Sequence, residues 1–290
     1  MVAEASSRVF APTGGPGAIE TLWLPRSMCD AQCLDTVPRV GPAHAAARLV
    51  AGAAVLVLAL LAVPLLAIAP ALLPRFFART LLRVFGVRHA LHGRVPRRGA
   101  LIVANHVSWL DVLVLFAHTP ASLLAKHEVG DWPVIGWLAR AVGTVFVDRS
   151  RPRELPATVG AVAGALRAGR SVAVFPEGTT WCGRTGGRFR PAVFQAAIDA
   201  GAPVAPVTLR FGLADGSGTT IAAYIGDDTL LASVLRVVSA RGLVVTAVAH
   251  PALYPVPGAS RRVLARAARA VVQPESADRP PSRPVATLAA

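Results

Sequence analysis

The segment Ala104-Asn105-His106-Val107-Ser108-Trp109-Leu110-Asp111 puts an imidazole at the end of an apolar run and a carboxylate four intervening residues later. On one continuous helix five positions subtend about 140°, so the two side chains would not meet. They meet if His106 lies in a strand-to-helix turn and Asp111 in the first turn of the helix. Asp111 would then fix the imidazole tautomer and stabilise the imidazolium, leaving the other ring nitrogen as a general base. Ser108 and Asp111 also have the spacing of a helix-capping box, which alone would account for Asp111. On these residues the catalytic pair and the plain helix start stand as equal alternatives.

A second segment, Phe175-Pro176-Glu177-Gly178-Thr179-Thr180, also follows an apolar run. Gly178 permits a positive φ and exposes amide groups able to hold an anionic or carbonyl oxygen. Glu177 would bind substrate hydroxyls or brace the turn.

The elements that must position these residues alternate. Leu101–Ala104, Ser122–Ala125, Thr144–Asp148, Ser171–Phe175, Pro203–Leu209, Ile221–Ile225 and Leu243–Ala249 read as strands. Helices are expected over Trp109–Ala117, Val134–Val142, Pro156–Ala168, Pro191–Ala200 and Ser260–Val272. Such alternation predicts an α/β fold: a largely parallel sheet flanked by helices, with sites at the carboxyl ends of the strands. Ahead of it, Leu49–Pro74 carries no charge and is long enough to cross a hydrocarbon core of about 30 Å. Pro64, Pro70 and Pro74 would kink it or turn it back. Next, Arg75, Arg79 and Arg83 recur every four residues beside Phe77, Leu81, Leu82 and Phe85, as in a helix lying among lipid headgroups. The expected organisation is a loosely ordered segment over 1–47, an N-terminal membrane-anchoring helical segment over 48–86, a catalytic domain over 87–273 and a disordered tail over 274–290.

Hydrophobic residues make up 53% of the 290, above the usual share of a soluble domain. The net charge is +14, and it falls wholly after Leu73, because Arg8, Arg26, Arg39 and Arg48 are balanced by Glu4, Glu20, Asp30 and Asp35. A basic domain directly behind an apolar segment fits an anionic membrane face better than nucleic acid. It places the domain at the cell membrane, facing the cytoplasm. Cys29, Cys33 and Cys182, an odd number without neighbouring ligands in sequence, suggest neither a disulfide framework nor a metal site. They read as incidental, with Cys29 and Cys33 as minor candidates for lipidation or redox chemistry.

Four blocks together carry a resemblance. Asn105-His106-x4-Asp111 resembles the N-H-x4-D motif of the glycerolipid (lysophospholipid) acyltransferase family, whose bacterial type is 1-acyl-glycerol-3-phosphate acyltransferase. Gly143–Arg149 is similar to its second block, Phe175–Thr179 to its F-P-E-G-T block, and Ala202–Val207 to its apolar fourth block. Ala125-Lys126-His127-Glu128 and Trp132–Gly136 also look familial, so the resemblance covers about residues 86–212. It implies that His106 deprotonates an acceptor hydroxyl, that Asp111 orients His106, and that backbone amides hold the oxyanion. Acyl-CoA or acyl-carrier protein would be the co-substrate, and no cofactor or metal is implied. Asn105, Lys126, Arg149, Glu177, Gly178, Thr179 and Arg184 are the implied substrate-binding residues. Trp109, Leu113 and Trp137 would border the acyl chain or simply pack. Many family members that form phosphatidic acid have Arg where this chain has Thr180; Arg184, Arg188 or Arg190 would replace it, or the headgroup differs. The implied acceptor is a lysophospholipid, 1-acyl-glycerol-3-phosphate first and a lyso-ornithine lipid second.

Other classes fit less. A hydrolase needs a nucleophile, and no G-x-S-x-G elbow occurs. A non-catalytic membrane-binding protein has no need of both the His106/Asp111 pair and the Glu177 turn. A nucleic-acid binder leaves the apolar segment unexplained.

Overall fold

A computed structural model of the chain describes residues 25–96, 98–148, 150–256 and 258–273. Residues 1–24 of the expected loose segment, and the whole expected tail, lie outside these. Seven strands form one sheet: β1 (Arg88–His92), β2 (Leu101–Ala104), β3 (Ala121–Lys126), β4 (Val145–Val147), β5 (Ser171–Val174), β6 (Val204–Leu213) and β7 (Leu243–Ala249), in the order β1-β7-β6-β2-β5-β3-β4. Every pairing is parallel except β6 with β7. The helices are α1 (Pro42–Leu61), α2 (Leu72–Val84), α3 (Leu110–His118), α4 (His127–Asp131), α5 (Ile135–Ala141), α6 (Leu155–Arg167), α7 (Phe194–Ala200), α8 (Leu230–Ser239) and α9 (Arg261–Val272).

β2 and β5 are apolar along their length, apart from Ser171, because both of their faces are covered. Side chains alternate between those faces. Ile102 and Ala104 enter a core shared with α1, α2, α3 and α8, while Leu101 and Val103 enter one shared with α6, α7 and α9.

The expected apolar run breaks where its prolines stand. α1 ends at Leu61, Val63–Ala67 makes a 3-10 turn containing Pro64, and Pro74 sits in the first turn of α2, where its missing N–H is tolerated. The result is a helical hairpin folded onto the domain. Arg48 of α1 donates to the carbonyls of Val238 (2.8 Å) and Ala240 (3.1 Å). Gly52 lets the Phe85 ring close in; a Cβ there would lie 2.4 Å from a ring carbon. The tip, by contrast, is bare: Leu58, Leu61, Leu65, Ile68, Leu72 and Phe76 are each more than half exposed. α2 is held from its apolar side. Ala78, Leu81 and Leu82 are buried in the core, and Arg79 turns back to donate to Ala117 O (2.8 Å).

Three further departures have local causes. Residues 25–41, expected to be loose, lie against the domain: Arg39 bridges to Ala240, and Thr220 donates its hydroxyl to Cys33 O (2.6 Å). Ile221–Ile225 is not a strand, because Arg236 takes the carbonyls of Ile221 (2.8 Å) and Ala223 (2.7 Å) that a ladder would use. β1, α4 and α8 were not expected. β1 is polar in sequence (Arg-His-Ala-Leu-His) and is held as an edge strand on β7.

Candidate active site

His106 lies just beyond the end of β2, at the centre of the sheet, and α3 begins four residues later. That turn does what the spacing requires. His106 Nδ1 and Asp111 Oδ2 are 2.8 Å apart, and Asp111 is fully buried while the His106 side chain keeps 22% of its surface. The same Oδ2 accepts the backbone amides of Val107 (2.7 Å) and Ser108 (2.8 Å), and Ser108 Oγ accepts Leu110 N (3.3 Å). The helix start and the His106–Asp111 pair therefore share one oxygen. With Nδ1–H given to the carboxylate, Nε2 is left as an acceptor, the state a general base needs. The Phe175 ring stacks on the imidazole at 4.0 Å and 10°, which fixes its plane.

Glu177 follows β5, the neighbour of β2, and is buried. Its Oε2 accepts His106 N (2.6 Å), while Oε1 accepts Gly187 N (2.8 Å) and the amide of Gln273 (2.5 Å). Burial pushes its carboxyl up to about 7, against the hydrogen bonds from Gly187, His106 and Gln273, which favour the ion. Glu177 thus braces the catalytic turn from behind, with both oxygens committed to the protein. Gly178 adopts φ +77°, and Pro25 lies so close that a Cβ would come within 2.8 Å of its ring. Thr179 is half-buried beside it.

Two of the expected substrate-binding side chains are engaged within the protein. Asn105 donates to Leu209 O (3.0 Å) and accepts Leu209 N (2.7 Å), so its amide splices β2 to β6. Arg184 is ion-paired with Asp35, on the segment before α1. Lys126, exposed at the carboxyl end of β3, stands two strands from β2 on the same edge as His106. Arg149 lies outside the described residues; its neighbour Asp148 pairs with Arg151 (3.3 Å). Thr180, at the position where Arg was expected, donates its hydroxyl to Tyr224 O. Trp109 packs, edge-on to Phe85 and donating to Ser233 Oγ (3.1 Å); Leu113 packs against the core, and Trp137 is half exposed.

Sequence reasoning missed Phe175, Gly187, Gln273 and Tyr224. Phe175 had a signal, its place at the head of the Pro-Glu-Gly turn; the others had none. An open cleft of about 1850 Å3 lined by Arg75, Arg79, Arg98, His118 and Arg170 sits at the starts of β3 and β5, the end of the sheet opposite His106.

Comparison with known proteins agrees with this geometry. The Acyltransferase family profile matches residues 87–210. A lyso-ornithine lipid O-acyltransferase of Pseudomonas aeruginosa is 38% identical over 182 residues, covering 62% of this chain and 69% of that protein. Another, from Rhodobacter capsulatus, is 36% identical over 211 residues, 70% of this chain and 75% of that one. The chain belongs to the acyltransferase family. A 1-acyl-sn-glycerol-3-phosphate acyltransferase of Neisseria gonorrhoeae is 40% identical over 147 residues, 51% of this chain; the match spans 57% of that relative's length. The fold is that of the crystallised 1-acyl-sn-glycerophosphate acyltransferase of Thermotoga maritima, at TM-score 0.51 and 20% identity, over 78% of this chain and 94% of the other. Family membership weights the His106–Asp111 geometry toward the catalytic reading.

Proposed function

We propose that the protein transfers a fatty acyl group from a thioester, acyl-CoA or acyl-carrier protein, to the free hydroxyl of a lysophospholipid, 1-acyl-glycerol-3-phosphate first, in membrane lipid synthesis. The observation that carries this is the buried Asp111 holding Nδ1 of a partly exposed His106. Nε2 takes the proton of the acceptor hydroxyl as its oxygen attacks the thioester carbonyl. When the tetrahedral intermediate collapses, the C–S bond breaks and the imidazolium returns the proton to the leaving thiolate. Lys126, at the same edge of the sheet, is the candidate for the acceptor's phosphate, and the resemblance adds Arg149 as a second.

A lyso-ornithine lipid is the second acceptor. The support is Thr180 in place of Arg, and an Arg184 already neutralised by Asp35. Two relatives bearing that name, from Pseudomonas aeruginosa and Rhodobacter capsulatus, also match over longer stretches than the Neisseria enzyme.

The site would work at a membrane surface. α1 is long and apolar enough to cross a bilayer by length and composition. Because Arg48 ties its first half to the domain and α2 returns to the domain, shallow re-entry fits better than a span. Trp137 on α5, whose helix touches the Val63–Ala67 turn, extends the bare apolar tip. The basic excess supports the cytoplasmic leaflet.

The test is transfer from labelled acyl-CoA, and from acyl-carrier protein, to lysophosphatidic acid and lyso-ornithine lipid in parallel. His106→Ala and Asp111→Asn should each lower the rate by about 10²–10⁴. Wild type equally inactive with both donors and both acceptors would point instead to a non-catalytic membrane-binding protein.

A further inference from the structure

The three cysteines that look incidental in sequence converge in space. Cys33 ends a short 3-10 turn (Ala31–Cys33) before α1 and Cys29 precedes it, Cys182 lies five residues after Glu177, and their sulfurs are all within 4.8 Å of one another. Cys29 and Cys182 are buried and Cys33 is half-buried. Thr185 Oγ1 lies 3.8 Å from the Cys29 sulfur and 3.7 Å from that of Cys182. We propose that Cys29, Cys33 and Cys182 bind one thiophilic divalent cation, zinc by its chemistry, with the Thr185 hydroxyl at the fourth vertex.

The geometry fits. Sulfurs about 2.3 Å from a tetrahedral zinc are about 3.8 Å apart, and a sulfur and an oxygen ligand about 3.6 Å apart. The thiols need to draw in by less than about 1 Å to meet that figure, and Thr185 already stands at the right separation from two of them. A disulfide would use two sulfurs and leave the third buried among them for no purpose.

The surroundings favour thiolates. The Cys182 amide donates to the Cys29 sulfur at 3.3 Å. Three thiolates this close repel unless a cation sits among them. On binding, each thiol gives its proton to solvent and a sulfur lone pair to the metal. No oxidant is required.

The site would clip the segment before α1 to the loop that leaves Glu177. On that same segment Pro25 covers Gly178 and Asp35 holds Arg184. The cation would thus staple a strap across the acceptor side of the active site.

The full chain, purified in detergent under reducing conditions without chelator, provides the test, with a separate aliquot of the lysate alkylated to trap any disulfide. About one zinc per chain is expected by elemental analysis. After chelator treatment, added Co2+ should give the visible bands of a tetrahedral ion and a thiolate charge-transfer band. Cys33→Ser, at the half-exposed position, should fold as judged by circular dichroism and bind Co2+ at least about tenfold more weakly. Wild type that shows no charge-transfer band with all three thiols reduced overturns the proposal. So does a trapped disulfide between any two of the three cysteines.

Discussion

One oxygen of Asp111 accepts a hydrogen from the His106 ring and from two backbone amides, so a carboxylate that starts a helix also sets a tautomer. The economy has a physical basis: the helix start already offers amides that hold the charge, and the imidazole needs only to swing over it. Glu177 is the less settled partner. Its carboxyl, raised by burial from 4.5 to about 7, binds more protons folded than unfolded between those values. The stability it permits is therefore full below about pH 4.5 and is lost as pH rises through about 7, with a slope of at most about 1.4 kcal/mol per pH unit. Thermal unfolding followed between about pH 5 and pH 8 should show wild type losing stability toward the alkaline end, with the profile of Glu177→Gln flatter. Parallel profiles would mean that Glu177 does not titrate in this window. The same substitution leaves one of His106 N and Gly187 N without an acceptor, so it should also be less stable below that window.

Among the elements, the α1–α2 hairpin divides sharply into a docked half and a bare half. The docked half depends on Gly52 against Phe85 and on Arg48 at the end of α8; the bare half offers Leu61, Leu65, Ile68 and Leu72 to whatever lies outside. Substituting Leu65 and Ile68 by Ser should leave the melting temperature within about 2 °C, since neither side chain is buried. Co-sedimentation with anionic lipid vesicles should fall several-fold. Undiminished sedimentation would move the membrane contact elsewhere on the surface. The sequence showed that this segment was apolar and that its prolines would bend it. It could not show which half the domain would claim, because the claimants, Val238 and Ala240, come some 190 residues later in the chain.

At the scale of the molecule, legibility followed sequence distance. His106 and Asp111 are five residues apart, and their meeting could be argued from a turn and a helix start. The parallel sheet was readable because strands buried on both faces are apolar throughout; β1, polar and at the edge, was not. The bond between Asn105 and Leu209 spans 104 positions and was not legible, and the cysteines were dismissed because Cys182 lies 153 from Cys29. Contacts of that length come from topology: β2 lies between β5 and β6, so whatever follows or faces those strands is delivered to the turn after β2.

The same wiring makes the end of α9 a handle on the turn that holds His106. Gln273 donates to Glu177 across 96 positions, and Glu177 holds the amide of His106. Gln273→Ala removes a donor that favours the ionised carboxylate, so the loss of stability, which still begins near pH 4.5, should extend to higher pH than in wild type. An unmoved inflection would show that this bond carries no weight. For anyone attaching a tag, a tether or a fusion partner just past α9, the attachment point is mechanically next door to the proposed base.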